Sequence, residues 1–197
     1  MTAIDIPEHY NDLDGSLAVA WRLLGRGVSD RRHPLHTPTI GYVDAAGMPS
    51  VCTVVLRDAD PKTRTIRFNT DRRARKAARL TGVGALAVGF YDPGEKVQLR
   101  LSCDARLHTD DAVADAAWAA SARSSRECYR QPQASASDLA DPDIPGGPDA
   151  DFDGRANFAT VVATVRTMEW LYLSAAGHRR AMFDWTAGAV SARWIAP

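Results

Sequence analysis

Between Glu95 and Cys103 the chain alternates strictly: Val97, Leu99, Leu101 and Cys103 are apolar, whereas Lys96, Gln98, Arg100 and Ser102 between them are polar. A period of two belongs to an extended strand with one face on a core and the other turned outward. The segment therefore predicts one strand of an antiparallel sheet, with Gln98 and Arg100 on its polar face. β-Branched and aromatic segments precede it at Thr39–Val43, Ser50–Arg57, Arg64–Asn69 and Gly84–Tyr91, the strand itself running over Glu95–Leu107. Further ones follow at Asn157–Ser174, Arg179–Trp185 and Val190–Ile195. Ala45-Ala46-Gly47 and Asp92-Pro93-Gly94 are turn signals between neighbours, and the spacing is that of an antiparallel meander.

Three helices are predicted around this series. In Asp14–Gly25, Leu17, Ala20, Trp21 and Leu24 fall on one stripe, which predicts an amphipathic helix packed on the body or on a partner subunit. A second helix follows Thr70 or Asp71 as N-cap, with Ala74, Ala77, Ala78 and Thr81 on a narrow face of small side chains. A third runs over Asp110–Tyr129, opened by Thr109 and carrying an Ala-rich face around Trp118. The order predicts an α+β fold, mainly β: a small antiparallel barrel with helices at its margin, in a single domain over residues 1–197.

Composition bounds the function. A chain of 197 residues with 45% hydrophobic content supports one real core, and no apolar run nears the ~20 residues that span a bilayer. The acidic, polar start (Met1–Asp14) does not read as a leader, so a cytoplasmic location is expected. Formal net charge is zero, which argues against non-specific nucleic-acid binding. Cys52, Cys103 and Cys128 are an odd, widely spaced set that suggests neither a disulfide framework nor a metal site, and His33 and His36 lack a thiolate or carboxylate at ligand spacing.

The charge is unevenly placed. From Arg57 to Arg79 there are nine basic and three acidic residues, whereas Asp138 to Asp153 holds six aspartates and no base. Within Arg64–Lys76 a strand runs into a helix start dense with hydroxyl, amide and basic groups, a place to hold a phosphate. Cations in a first helical turn oppose the helix dipole by typically ~0.3–1 kcal/mol each, a conflict that a bound anion relieves. Gln131–Gly154, with four prolines and three glycines, reads as a long loop, either a lid or disordered. No phosphate-loop or dinucleotide fingerprint is present.

Thr53-Val-Val-Leu-Arg57, Phe68-Asn-Thr-Asp-Arg-Arg-Ala-Arg-Lys76, Gln98-Leu-Arg-Leu101, Gly177-His-Arg-Arg-Ala181 and Trp194-Ile-Ala-Pro197 occur in an order that resembles the pyridoxamine 5′-phosphate oxidase-related family of FMN-binding split barrels. The resemblance implies that Arg75 and Lys76 hold the FMN phosphate, with Asn69 and Thr70 in the same pocket. It implies that Cys52, Thr53, Val54, Val55 and Arg57 run beside the isoalloxazine ring, and that Gln98 and Arg180 reach the flavin, Arg180 across a dimer interface. It further implies a homodimer with FMN at the subunit interface and a small-molecule substrate, with Arg57, His178 and Arg123 as candidate substrate contacts. Cys52 stands where the family often has arginine, and Ala176 where the oxidase has an arginine two residues before its histidine. The oxidase's substrate-phosphate tyrosine, arginine and serine are not reproduced at their spacing in the second-helix region. The function implied is an FMN-dependent oxidoreductase acting on a small molecule by hydride transfer, with no catalytic side chain assigned. The alternatives are a non-catalytic flavin- or haem-binding protein and a true pyridoxamine 5′-phosphate oxidase.

Overall fold

A computed structural model describes residues 6–81, 83–139 and 153–197. Among these, nine strands join one antiparallel sheet: β1 (Thr39–Val43), β2 (Pro49–Thr53), β3 (Leu56–Asp60), β4 (Thr65–Asp71), β5 (Val83–Asp92), β6 (Val97–His108), β7 (Phe158–Tyr172), β8 (Arg179–Asp184) and β9 (Ser191–Trp194). The hydrogen-bonded path is β2-β1-β5-β6-β7-β4-β3, with β8 on the far half of β7 and β9 on β8. The expected meander holds only within the local pairs. The β1–β5 and β4–β7 pairings are long-range and set the shape.

The sheet must curl. β2 and β3 lie at opposite ends of the path, yet only Val54 and Val55 separate them. Three residue steps reach at most about 10–11 Å, so the two ends of the sheet are brought together there. No pairing closes them among the described residues, and the fold is a split barrel rather than a sealed one. The single strand expected over Ser50–Arg57 is thus two strands. The buried Val54 marks the crossing, and its N–H donates to Pro38 O at 3.0 Å.

Alternation is realised in β6, whose Val97, Leu99, Leu101, Cys103 and Ala105 are buried while Arg100, Ser102 and Arg106 are exposed. These residues meet Trp170, Phe68, Ile40 and Phe183 in one core. Burial pushes the Cys103 thiol up to about 12. α1 (Leu13–Ser29) starts at Asp12, whose carboxylate accepts from Gly15 N at 2.7 Å, and buries Val19, Ala20, Leu23 and Leu24. It runs past Gly25 because Gly27 is a packing residue: a Cβ there would come within 2.9 Å of the Leu35 backbone carbonyl. Gly27 O also accepts a hydrogen bond from His36 Nδ1 at 2.7 Å, which fixes that imidazole's proton on Nδ1.

Two helix expectations are corrected. The helix after β4, α2 (Arg75–Arg79), is only five residues long and begins at Ala74 without a side-chain cap. Asp71, the expected cap, instead accepts from Arg73 N at 2.7 Å and ends β4. Arg72 and Arg73 precede the helix, so the dipole argument does not apply to them. The long third helix is broken into α3 (Ala112–Ala119), capped by Asp111, and α4 (Arg123–Arg126), followed by a 3-10 turn at Glu127–Tyr129. Arg126 explains the break: its Nη2 donates to Trp118 O at 2.7 Å and Ala119 O at 3.0 Å, satisfying the end of α3, and its guanidinium lies over the Trp118 ring. Among the described residues no helix is long and apolar enough to cross a membrane. Residues 140–152 of the acidic loop lie outside the described residues.

Candidate cofactor pocket and the cations beside it

Where the sheet ends meet, a cavity of about 500 Å³ opens, a volume suited to a small-molecule site. One wall is Thr53, Val54 and Val55 at the β2–β3 crossing; a second is Asn69, Thr70 and Asp71 at the end of β4, with Ala74 and Lys76 of the turn and α2. The third is Cys128, Tyr129 and the segment from Gln131 to Leu139.

The cations around α2 divide into committed and uncommitted. Arg72 pairs with Asp110 at 3.1 Å, Arg73 with Asp71 at 2.7 Å, and Arg79 Nε donates to Val43 O at 3.2 Å. Arg75 and Lys76 make no side-chain hydrogen bond or ion pair with a described residue. Lys76 is half-buried and lines the cavity, and Arg75 is exposed beside it. Two adjacent cations without counter-charges among the described residues, at a concave site, suit a dianion such as a phosphate monoester.

Asn69 lines the cavity but is largely occupied. Its Oδ1 accepts from Thr160 Oγ1 at 2.9 Å, and its Nδ2 donates to Ser121 Oγ at 3.3 Å, joining β4, β7 and the end of α3. On its other side is a smaller, mostly polar pocket of about 260 Å³ that contains Arg57, Arg31, Arg67, Ser29 and Ser121. Arg57 sits at a register shift between β3 and β4, which turns it out of the ladder. Burial lowers the Arg67 pKa, and the neighbouring Arg57 charge lowers it further. The field of Arg57 also reaches Tyr129 and Cys128 in the wall of the first cavity. Burial raises the Tyr129 hydroxyl well above its ordinary range.

Residues 19–109 match the family described as pyridoxamine 5′-phosphate oxidase, FMN-binding domain. A pyridoxamine 5′-phosphate oxidase-related, FMN-binding protein from Nostoc punctiforme superposes with a TM-score of 0.70 at 23% identity, over 91% of this chain and 95% of that one. The chain resembles the pyridoxamine 5′-phosphate oxidase-related split barrels. PhzG from Burkholderia lata, solved in complex with tetrahydrophenazine-1-carboxylic acid, is similar over 100% of both chains, with a TM-score of 0.74 at 17% identity. A protein related to general stress protein 26 from Clostridium acetobutylicum matches at a TM-score of 0.53 and 15% identity over 83% of this chain and 92% of that one. No curated protein matches the chain.

Against this split-barrel frame the site residues separate into groups. Thr53, Val54, Val55, Asn69, Thr70 and Lys76 border one cavity of a single chain. Cys52 pairs with Ile40 across β1–β2 and packs against the core, so its thiol points away from the outer face that carries Val51 and Thr53. Gln98 and Arg180 lie outside that cavity. They share one cross-strand row, Tyr91–Gln98–Leu171–Arg180, on the outer face of the sheet, where Arg180 Nε donates to Glu169 at 3.0 Å. His178 Nδ1 accepts from Ser174 N at 3.0 Å, fastening the β7–β8 turn, and Arg123 opens α4. Sequence reasoning missed Gln133, a residue of the cavity wall whose buried Oε1 has no partner among the described residues, and Arg31 and Arg67, which join Arg57 only in three dimensions. Arg67 lies in the basic stretch from Arg57 to Arg79, but no local pattern marks Arg31 or Gln133 or shows which cations converge, because these residues come from different elements.

Proposed function

We propose that the chain is an FMN-dependent oxidoreductase acting on a small molecule, with FMN in the cavity at the β2–β3 crossing. The observation that carries this reading is the pair of cations, Arg75 and Lys76, without a partner among the described residues, beside a cavity whose lining carboxylate, Asp71, is already paired with Arg73. The donor set fits the cofactor. Lys76 and Arg75 suit its phosphate, the Thr70 hydroxyl suits a ribityl hydroxyl, and backbone groups of Thr53–Val55 suit the polar edge of the ring. FMN when bound supplies the hydride-transfer chemistry; the chain binds it, orients it and shields it from water.

Arg57, with Arg31 and Arg67, forms the substrate side in this reading and favours a substrate bearing a carboxylate or phosphate. Gln98 and Arg180 act on the cofactor of a second copy. Their outer face is consistent with a homodimer contact, since small residues such as Gly41, Ala87 and Gly89 line its centre and Val51 and Tyr91 stand exposed at 73% and 49%. His178 and Arg123 are assigned no part in substrate binding.

The test is an absorption spectrum of the purified protein with mass analysis of any small molecule released on denaturation. Flavin bands with released FMN support the cofactor reading, and a colourless protein that fails to bind added FMN refutes it. Anaerobic bleaching by candidate anionic substrates then tests the oxidoreductase reading; a flavin that neither bleaches nor reoxidises with any donor or acceptor leaves a binding protein.

A further inference from the structure

The third wall of the cavity, residues 131–139, contains neither strand nor helix. Among the described residues, every hydrogen bond that ties this segment to the rest of the chain comes from one side chain. Arg73 Nη1 donates to Pro132 O at 2.9 Å, and its Nη2 donates to Gln131 O at 3.0 Å and Gln133 O at 3.3 Å. The same guanidinium is gripped from behind by Asp71, with Nε to Oδ1 at 3.0 Å and Nη2 to Oδ2 at 2.7 Å. Three carbonyl oxygens converge on one planar cation that a two-point carboxylate contact orients, so all three guanidinium nitrogens donate and the Nη2 hydrogens are shared among Asp71 and two carbonyls; an ammonium group cannot span that set. Hydrogen bonding to Asp71 also raises the Arg73 pKa, so the group stays charged.

We propose that Arg73 is a positioning residue: it clasps segment 131–133 to the end of β4, completing the outer wall of the cofactor cavity, and thereby sets how slowly FMN leaves. The proposal rests on the FMN reading above. Its consequence for the wall is also independent of any ligand. Gln133, whose carbonyl is held by the clasp, has a buried Oε1 with no hydrogen-bond partner among the described residues, so loss of the clasp opens that acceptor to water as well.

The experiment compares the wild-type protein, Arg73→Ala and Arg73→Lys. FMN release after dilution is followed by flavin fluorescence, and cleavage of the free proteins within 131–139 by proteinase K is followed by mass spectrometry. Losing these charge-assisted contacts should speed FMN release by roughly tenfold or more and raise cleavage within the segment, with little change in melting temperature. Arg73→Lys should fall near Arg73→Ala, because charge alone does not restore the fork. Wild-type release rates in both variants, or unchanged cleavage within 131–139, overturn the proposal. If the wild-type protein retains no FMN, the cofactor reading fails and cleavage alone decides the clasp: faster in the variants supports it, unchanged refutes it. Should Arg73→Ala not fold, Arg73→Lys carries the same two readouts.

Discussion

Replacing Arg75 and Lys76 together by alanine should weaken FMN binding far more than it weakens riboflavin binding. A hydrogen bond to a charged group contributes about 1.5–3 kcal/mol, and exposed ion pairs contribute ~0.2–1 kcal/mol. Lys76 is half-buried in the cavity wall and takes the larger range, whereas the exposed Arg75 takes the smaller. The sum is about 2–4 kcal/mol, a loss of roughly 30- to 700-fold in affinity at 1.4 kcal/mol per decade. Because neither side chain has a partner among the described residues, the substitution removes no contact with them, and relief of repulsion with Arg72, Arg73 and Arg79 should leave the melting temperature unchanged or slightly higher. Fluorescence-quenching titrations with FMN and riboflavin, each at low and high salt, provide the assay. FMN should lose affinity, and its preference over riboflavin, together with much of its salt dependence, should disappear. An unchanged FMN affinity, or an equal loss for riboflavin, would refute the assignment of these cations to the phosphate.

Other consequences can be measured directly. Gly27→Ala drives a methyl group to within 2.9 Å of the Leu35 backbone and should cost ~1–3 kcal/mol, read as a lower urea midpoint with an unchanged slope. Cys103 and Tyr10 are each pushed up to about 12, chiefly by burial, so they stay protonated in the folded protein while the unfolded chain ionises from about pH 8.5 for the thiol and about 10 for the phenol. Stability should therefore be fully present below about pH 8.5 and decline toward pH 12, and Cys103→Ala should flatten the early part of that decline. Ala87→Arg places a long cation at the centre of the exposed outer face and should leave the fold intact but shift a dimer to monomer in analytical ultracentrifugation. A dimer that survives this change would put the contact elsewhere.

Much of the fold was legible because its signals are local. The alternation in β6 reports a half-buried strand from adjacent residues, and β1 begins and ends where its β-branched run does, at Thr39 and Val43. The breaks were harder to see. Nothing in Ser50–Arg57 shows that Val54 and Val55 form a corner, since the reason lies in β1 and β4, which claim the two halves as partners. Similarly, the end of α3 at Ala119 is decided by Arg126 reaching back to its carbonyls. For the candidate site, the sequence marked Asn69, Thr70 and Lys76 as one cluster at a strand end, and they border one cavity. It could not separate Arg73, spent on Asp71 and three carbonyls, from Lys76, which lines the cavity without a partner among the described residues.

By itself, then, the order of residues determined that this chain forms an antiparallel sheet with marginal helices and concentrates cations after the strand that ends at Asn69, because periodicity and charge are properties of neighbours along the chain. Only the tertiary structure decided which cations remain available, that Cys52 turns inward, and that Gln98 and Arg180 stand on an outer face away from the cavity. Counter-charges, burial and strand partners all come from distant segments, and a side chain's chemistry depends on what those segments leave unpaired.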